Sequence, residues 1–339
     1  MEIGLNNFLG FVQKNKKRIV ILGDKHTLKD CFPLLEEDLP TIQVPYGENY
    51  KNLNICEFIW KKLTELNAHR NTILLCLGGG VLCDMGSFAG ACYQRGLEVA
   101  LVPTSLLAMV DASVGGKNGV NFMGLKNYIG SFKEAHHTFI CIEFLRTLPQ
   151  KEFVNGYVEM LKHGLIADKS HYNRVKMLFL KDATALDEDL ILASIRIKQN
   201  HVAKDFRDTG VRKRLNYGHT IGHAIESHSL ATNDENQALS HGVSVGLGII
   251  VESYISSLVN GLSTESLDEI SIVLRKLLIQ VEQDIPTFED LWPYLIRDKK
   301  NDSTEINCSL LNDIGNCQED NNIPVAVLKQ GLDYLVRLK

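Results

Sequence analysis

The sequence predicts an α/β amino-terminal domain with a mostly parallel sheet, followed by a mainly α-helical carboxy-terminal domain. In the first part of the chain, short apolar runs alternate with helical patterns, which is typical of a parallel sheet covered by helices. After the Thr-Leu-Pro stretch at 147–149, long helical patterns replace the strands. We therefore expect two domains, comprising residues 1–148 and 149–339.

Five buried strands are expected in the first domain, because five short apolar runs are bounded by turn residues. They comprise residues 18–23, 41–44, 72–77, 99–102 and 138–142. Between the second and third strands, residues 53–66 carry apolar side chains at helical spacing. A long loop rich in Gly, Lys and Asn is expected before the last strand.

Five helices are expected in the second domain, because apolar residues recur there at helical spacing. These helices comprise residues 152–166, 187–204, 215–229, 241–258 and 267–282. A single strand signal follows them at 305–311. The second domain is therefore predicted to be mainly helical.

Composition and charge exclude several classes of protein. The chain has 339 residues, 45% apolar and 23% charged, and 36 basic against 41 acidic residues give a net charge of −5. Nucleic-acid and membrane-surface binders usually carry a basic excess, so we expect neither partner. No apolar run approaches the roughly 18–20 residues of a membrane span. The amino terminus lacks the basic-then-apolar order of a signal peptide, so we expect a cytoplasmic protein. The eight cysteines include no CxxC pair, which favours buried thiols over disulfides.

Three consecutive glycines, residues 78–80, follow a predicted strand and lead into a helix. Glycines there let a pyrophosphate approach the backbone, and a helix N-terminus offers unpaired N–H groups to an anion. The dinucleotide fingerprint requires a further glycine where this chain has Cys83. A tight turn between strand and helix explains the segment equally well.

A second segment, residues 111–127, combines glycines, lysines and amides. It is not a Walker A loop, because Asp111 replaces the first glycine and Asn118 follows Lys117 where Ser or Thr is needed. Such a loop suits a phosphorylated or carboxylated ligand, although a solvated loop with surface lysines is the alternative. Basic residues gathered at one site of an acidic chain favour a small anionic ligand. The candidates are Lys117, Lys126, Lys198, Arg212 and Lys299.

A pair of histidines suggests a metal site. His219 and His223 are four residues apart and share one face of a predicted helix. Zinc normally takes a third protein ligand, for which His241 and Glu159 are candidates. Satisfied structural histidines remain the alternative on spacing alone.

Ordered segments along the chain, taken together, resemble the 3-dehydroquinate synthases of the sugar phosphate cyclase family. The matching stretches are 45–48 with Lys51, 78–81, 95–96, 102–108, 111–127, 152–164, 212–226, 241–242 and 297–300. The resemblance implies an NAD-binding domain with a Rossmann-like sheet, a helical metal-binding domain, and a homodimer. The chain departs from the family pattern at Cys83, Asn118, Asp208 and Val243. Val243 replaces a carboxylate that could have supported a ligating histidine.

By position, the resemblance assigns a role to each candidate residue. Zinc or cobalt would be bound by Glu159, His219 and His241, whereas His223 would lie close to the substrate and manage its protons. NAD would be bound by Asp24, Glu48, Lys51, Gly79, Gly80, Val81, Asp84, Thr104, Ser105, Asp111, Lys117 and Lys126. The substrate would be bound by Asp111, Lys117, Asn127, Lys198, Arg212, Asn216, His223 and Lys299, with Arg95 supplied by the neighbouring subunit. The residues implied in catalysis are Lys117, Glu159, Lys198, Arg212, Asn216 and His223.

The implied substrate is the sugar phosphate 3-deoxy-D-arabino-heptulosonate 7-phosphate. Transient oxidation by NAD, loss of phosphate, re-reduction and ring closure would give 3-dehydroquinate. Sister cyclases acting on sedoheptulose 7-phosphate or glucose 6-phosphate need no carboxylate pocket, so the presence together of Lys198, Arg212, Asn216 and Lys299 disfavours them. A polyol dehydrogenase would release NADH stoichiometrically, and a nucleotide-sensing module would not need the metal triad.

Overall fold

The computed structural model describes residues 1–181, 186–233, 237–278, 285–296 and 305–338. Within these residues the chain divides into two compact units, Met1–Gly156 and Tyr157–Lys339. The first unit contains a parallel sheet with helices and the second is mostly helical, so the predicted fold class is confirmed.

The first unit contains eight strands and four complete helices among the described residues. The strands are β1 (Glu2–Ile3), β2 (Ile19–Asp24), β3 (Thr41–Val44), β4 (Ile73–Gly78), β5 (Glu98–Pro103), β6 (Lys117–Phe122), β7 (Leu125–Phe132) and β8 (His137–Ile140). The helices are α1 (Leu5–Asn15), α2 (Lys25–Asp30), α3 (Leu53–Glu65) and α4 (Gly80–Cys92). Six strands form a parallel sheet in the order β1-β8-β5-β4-β2-β3.

The central strands of this sheet are continuous apolar runs because they are covered on both faces. Every residue of β2 and β4 is buried, as expected for a parallel sheet between helices. Because the strands are parallel, the carboxyl ends of β2, β3, β4 and β5 lie at one edge of the sheet. Ligands of open α/β sheets bind outside this edge.

The prediction of a long loop before the last strand is wrong, because β6 and β7 form an antiparallel hairpin there. Its turn contains Met123 and Gly124, which have φ values of 50° and 76°. The hairpin is rich in glycine because its backbones pack closely, and a Cβ added at Gly130 would lie 2.2 Å from the carbonyl oxygen of Asn118. These glycines conceal the alternation that normally identifies a strand. Strand β1 and helices α1 and α2 were also not predicted.

Helix α5 (Gln150–Ala167) extends across the division at residue 156. The elements that follow are α6 (Lys169–Lys181), α7 (Glu188–Lys204), α8 (His219–Thr232), α9 (His241–Val259), α10 (Thr264–Leu278), α11 (Phe288–Leu295), β9 (Glu305–Asp313), β10 (Asn316–Pro324) and α12 (Val325–Leu338). Strands β9 and β10 form an antiparallel hairpin. The prediction missed α6, α11, α12 and β10.

Two predicted helix starts differ from the structure by three residues or more. The helix expected from residue 215 begins at His219, because the 3-10 helix Val211–Asn216 and a left-handed Gly218 (φ 80°) precede it. The helix expected over 267–282 begins at Thr264, and residues 279–282 lie outside the described part of the chain.

Helix α9 is long and apolar enough, by length and composition, to cross a membrane, so the expectation that no stretch reaches this length is wrong. It is the one such helix among the described residues, and 78% of its apolar window is buried inside the structure. It packs against α8, α10 and α12. Its apolar surface is therefore that of a core helix.

The eight cysteines are free thiols, and seven of them are buried, as expected. Burial raises the pKa of Cys76 to about 12, so this side chain stays protonated at neutral pH. Buried cysteines of this kind pack as small apolar side chains.

Candidate metal centre and nucleotide-binding edge

Side chains from three different helices meet in the second unit. Glu159 lies within α5, while His219 and His241 are the first residues of α8 and α9. One candidate ligand atom from each of the three lies within 4.8 Å of the others. Glu159 Oε1 is 3.4 Å from Nε2 of His219 and 3.6 Å from Nε2 of His241. The structure thus brings together the three residues predicted to bind the metal.

These separations fit a tetrahedral divalent ion. Zinc bonds of about 2.0–2.1 Å place the ligand atoms roughly 3.4 Å apart. Both oxygens of Glu159 are buried; Oε2 lies in an ion pair with Lys162, and Oε1 faces the imidazoles of His219 and His241. Buried charges of this kind are normally paired or coordinate a metal ion. Two imidazole nitrogens and one carboxylate oxygen suit zinc and cobalt alike, and leave a coordination position open.

The neighbouring charges favour the protonation states that a metal requires at Glu159 and His219, but not at His241. Burial opposes ionisation of Glu159, but Lys162, His219 and His241 lower the pKa of its carboxyl well below the usual value. Burial and the ammonium of Lys162 lower the pKa of His219, which favours a neutral imidazole. Lys162 is fully buried in an ion pair with Glu159 and was missed as a site residue. Its spacing of three residues from Glu159 on one helix could have indicated it.

The second ring nitrogen of His219 and of His241 also faces an acceptor. Nδ1 of His219 lies 3.2 Å from the carbonyl oxygen of Tyr217, and Nδ1 of His241 lies 3.4 Å from Oε2 of Glu226. Such partners fix the orientation of a metal-binding imidazole. Although burial opposes a charge on His241, the carboxylates of Glu226 and Glu159 raise its pKa to about 10. The carboxylate expected to be lost at Val243 is therefore supplied by Glu226 of α8.

The first turn of α8, which presents His219, is held by α9. Glu252 is fully buried, and its carboxylate accepts hydrogen bonds from the backbone N–H groups of Gly218 (2.6 Å) and Ile221 (3.3 Å). Burial raises the pKa of Glu252 to about 8, although the backbone hydrogen bonds act in the opposite direction. No sequence motif indicated Glu252.

His223 lies outside the cluster around Glu159. It is exposed on α8, and its ring centroid is 5.0 Å from that of His219 and 5.8 Å from that of His241. It belongs instead to a second group of candidate ligand atoms, with Glu226 and His241. The spacing of His219 and His223 therefore does not by itself identify the ligand set.

Three residues predicted to bind the substrate lie on α7 or in the short segment that precedes α8. Lys198 is buried on α7, and Arg212 and Asn216 lie in the 3-10 helix Val211–Asn216. Arg212 is also buried, and its Nη1 donates to the carbonyl oxygen of Phe206 at 2.6 Å. Lys299 lies outside the described residues.

In the first unit, the predicted nucleotide-binding residues follow the carboxyl ends of the strands. Asp24 ends β2 and caps α2, accepting hydrogen bonds from the N–H groups of His26 and Thr27. Thr104 and Ser105 follow β5. The remaining predicted positions at this edge are Glu48 after β3, and Gly79, Gly80, Val81 and Asp84 after β4.

The two glycines that open α4 leave room for a ligand. Gly79 is the N-cap of α4 with φ −73°, and no side chain caps this helix N-terminus. A Cβ added at Gly79 or Gly80 would approach other atoms no closer than 3.5 Å or 3.4 Å, which is ordinary contact. Neither packing nor backbone conformation therefore requires glycine at positions 79 and 80. Packing does require it at Gly78, where a Cβ would lie 2.1 Å from Leu82 Cδ1. The bare helix N-terminus fits a pyrophosphate.

A buried lysine links the other predicted residues of this unit. Nζ of Lys51 lies 2.5 Å from Asp84 Oδ2 and 2.6 Å from Asn127 Oδ1. Glu48 Oε1 accepts a hydrogen bond from Nδ2 of Asn121 at 2.9 Å. The other predicted residues are Asp111 in the π-helical turn Ala108–Ala112, Lys117 at the start of β6, Lys126 in β7, and Arg95, which has φ 69°.

Family models match most of the chain. Residues 41–155 match the amino-terminal domain of 3-dehydroquinate synthase, and residues 156–301 match its carboxy-terminal domain. The chain belongs to the 3-dehydroquinate synthase family. A 3-dehydroquinate synthase from Parabacteroides distasonis is 37% identical over 338 residues, covering 97% of this chain and 94% of the relative. The resemblance seen in the sequence is therefore confirmed.

Solved structures of two other cyclases share the fold of this 3-dehydroquinate synthase family member. A 2-deoxy-scyllo-inosose synthase, in complex with carbaglucose-6-phosphate, NAD⁺ and Co²⁺, superimposes with a TM-score of 0.84 at 22% identity, covering 98% of this chain and 95% of that chain. A 2-epi-5-epi-valiolone synthase from Streptomyces hygroscopicus subsp. jinggangensis 5008, with NAD⁺ and Zn²⁺ bound, gives 0.85 at 21%, covering 95% and 92%. At these identities the likeness establishes the fold alone.

Proposed function

We propose that this protein is a 3-dehydroquinate synthase, as its relatives are named, and converts 3-deoxy-D-arabino-heptulosonate 7-phosphate to 3-dehydroquinate and phosphate. One observation carries the proposal: Glu159, His219 and His241 form a metal-compatible cluster in a chain that matches both domains of the family. The enzyme is then a carbon–oxygen lyase that depends on NAD and on one divalent ion.

The chain's own residues would bind both groups. Glu159, His219 and His241 would bind zinc or cobalt, and the bare N-terminus of α4 at Gly79 and Gly80 would bind the NAD pyrophosphate. When bound, NAD supplies reversible oxidation of one substrate alcohol, and the metal ion supplies positive charge that lowers the pKa of that alcohol. The two solved cyclases, which contain NAD⁺ with Co²⁺ or Zn²⁺, support this pairing of cofactors.

Basic and amide side chains would bind the two anionic groups of the substrate. Lys198 and Arg212 are buried, so charge-assisted hydrogen bonds from them to carboxylate or phosphate are little screened by water. Asn216 adds a neutral donor on the same turn as Arg212. Lys117 and Asn127 of the first unit, and Lys299, complete the proposed set. These groups hold the reacting bonds in a fixed orientation.

His223 is the proposed proton carrier. It is exposed and next to the metal-binding histidines rather than among them. A histidine changes charge near neutral pH, which suits a group that takes up and returns a proton during turnover.

A second copy of the chain would complete the substrate site. Arg95 is exposed with a left-handed backbone, φ 69°, and we propose that it reaches the phosphate bound by the partner in a homodimer. The cytoplasmic location expected from the sequence stays a prediction.

The proposal is tested by measuring phosphate release from the heptulosonate phosphate. The assay contains NAD⁺ and zinc or cobalt, and NADH absorbance is followed at the same time. We expect release that a chelator abolishes and no accumulation of NADH, because NAD is regenerated in each turnover. NADH rising in step with turnover would instead identify a dehydrogenase. An inactive protein would be assayed with sedoheptulose 7-phosphate and glucose 6-phosphate, and activity there would replace the proposal with a sister cyclase.

A further inference from the structure

We propose that the β9–β10 hairpin positions the turn Val211–Asn216 and thereby sets the affinity for the substrate. This rests on the proposed function, in which Arg212 and Asn216 of that turn bind anionic groups. The hairpin begins at Glu305, beyond residue 301, where the match to the family models ends, and it lies within the part of the chain that aligns with the Parabacteroides distasonis relative.

Three contacts join the hairpin to two consecutive residues of the turn. Nζ of Lys213 lies 2.7 Å and 2.8 Å from the two carboxylate oxygens of Asp320. Nε of Arg214 lies 2.5 Å from Oε2 of Glu319. Oγ of Ser309 donates to the carbonyl oxygen of Lys213 at 2.8 Å. Both strands of the hairpin therefore contact the turn.

The hairpin is shaped to make these contacts. Its register shifts between Gln318 and Asn321, so Glu319 and Asp320 leave the regular ladder. Asp320 adopts φ 59°, a left-handed conformation that Asp and Asn tolerate better than most residues. Nδ2 of Asn321 donates to the carbonyl oxygen of Gln318 at 2.9 Å. Bulges of this kind redirect side chains, and this one directs two carboxylates at two cations.

The two Lys213 contacts act on the face of the turn that carries Asn216, whereas the Arg214 contact acts on the face that carries Val211. A 3-10 helix has three residues per turn, so Lys213 and Asn216 share one face, and the buried pair Arg212 and Leu215 share another. On the other side, Asp205 accepts a hydrogen bond from the backbone N–H of Arg212 at 3.2 Å. The turn is therefore held between the Asp205 loop and the hairpin.

Loss of the ion pairs should affect substrate binding more than folding. Single exposed ion pairs contribute little to stability. The Lys213 and Glu319 side chains are 18% and 23% exposed, their partners Asp320 and Arg214 are 45% and 33% exposed, and the two ion pairs act on adjacent residues. A displacement of about 1 Å in a positioning group can change activity by up to roughly 100-fold.

The test variant is Glu319→Gln with Asp320→Asn. Both changes remove charge while keeping shape, and Asn tolerates the left-handed backbone at 320. Amide hydrogen exchange at 211–216 is measured in the zinc-loaded protein without substrate. We expect exchange there about ten-fold faster, KM for the heptulosonate phosphate about five- to ten-fold higher, kcat changed by less than about two-fold, and unchanged zinc affinity.

A double-mutant cycle shows whether Asp320 acts through Lys213. Lys213→Met keeps the length of the side chain without its charge, and Asp320→Asn should add little further change in KM in that background. Glu289→Gln is the matched control, because it breaks an ion pair of the same unit that joins α11 and α12, Lys329–Glu289.

Two results would overturn the proposal, and a third would separate it from the proposed function. Unchanged exchange at 211–216 in the double variant would overturn the proposal. Faster exchange with an unchanged KM would also overturn it, since the hairpin would then hold the turn without serving the substrate. If the wild-type protein releases no phosphate, the proposed function fails, and the exchange measurement alone still decides whether the hairpin holds the turn.

Discussion

At the scale of single residues, His219 and His223 are expected to have separate roles although they are one helical turn apart. Nε2 of His219 faces Glu159 in the metal cluster, whereas His223 lies outside that cluster. We expect His219→Ala to lose the metal, and His223→Ala to keep the metal but lose turnover. Metal analysis of both purified variants, together with phosphate release, measures this. Equal loss of metal in both would contradict the division of roles.

Glu226 is expected to control metal affinity without binding the metal. Its carboxylate lies 3.4 Å from Nδ1 of His241, opposite the nitrogen that faces Glu159. Removing such a carboxylate typically weakens metal binding about 10- to 100-fold. We expect this loss in Glu226→Gln, measured by competition with a chromophoric chelator. Glu269→Gln, which removes the carboxylate paired with Lys176 elsewhere in the unit, is the control and should bind metal as the wild type does.

Asp205 should make the loop before Arg212 sensitive to acid. Although burial opposes ionisation, hydrogen bonds from the backbone of Gly210, Thr209 and Arg212 lower the pKa of Asp205 to about 2. A lowered folded-state pKa contributes stability above the ordinary value near 3.8, and this stability is lost as pH falls toward 2. We expect Asp205→Asn to exchange its 209–212 amides faster than the wild type at pH 6, with the difference shrinking below pH 4. A difference that is independent of pH would show that charge is not the cause.

Site residues could be predicted from the sequence only where they belong to a recognisable motif. Glu159, His219 and His241 were identified through the family resemblance, whereas the spacing of His219 and His223 alone favoured a different pair. Glu226 and Glu252 were missed because their roles depend on packing between α8 and α9. A carboxylate two turns along a helix carries no local signal that its partner is a histidine of the next helix.

At the scale of elements, the two adjacent glycines at the start of α4 are expected to have different roles. Gly79 should matter for ligand binding, and Gly78 should matter for packing. A Cβ fits at Gly79 but would lie 2.1 Å from Leu82 Cδ1 at Gly78. We expect Gly79→Ala to keep its unfolding free energy and to bind NAD at least about ten-fold more weakly, because its methyl group occupies the pyrophosphate position. We expect Gly78→Ala to lose about 1–3 kcal/mol of stability. Calorimetry with and without NAD measures both effects, and unchanged NAD affinity in Gly79→Ala would remove this helix from the nucleotide site.

Buried parallel strands were predicted well because covering on both faces makes them continuous apolar runs. Residues 72–77 of the sequence thus predicted β4 to within one residue at each end. The two hairpins were harder to recognise. Glycines that allow close packing interrupt the apolar pattern of β6 and β7. Strand β10 is polar, Asn-Cys-Gln-Glu-Asp-Asn-Asn, and its strand conformation depends on its pairing with β9.

At the scale of the whole molecule, the division at residue 156 means that the two cofactors should stabilise different parts of the chain. The metal cluster lies entirely in the second unit, and the glycine turn of α4 lies in the first. A ligand that binds only the native state stabilises it by about 2.7 kcal/mol at a concentration of 100 Kd. That stabilisation slows hydrogen exchange first where the ligand's own contacts must open.

We therefore expect zinc to slow amide exchange at the starts of α8 and α9 and around Glu159 in α5, and NAD to slow it where β2, β4 and β5 end. Addition of a chelator should reverse the first effect and leave the six-stranded sheet unchanged. His219→Ala is the control, since zinc and chelator should both be without effect on it. Zinc protection spread equally over both units would mean that they open as one, and that metal binding stabilises the nucleotide site as well. Protection confined to the second unit would instead make the metal and NAD sites energetically separate.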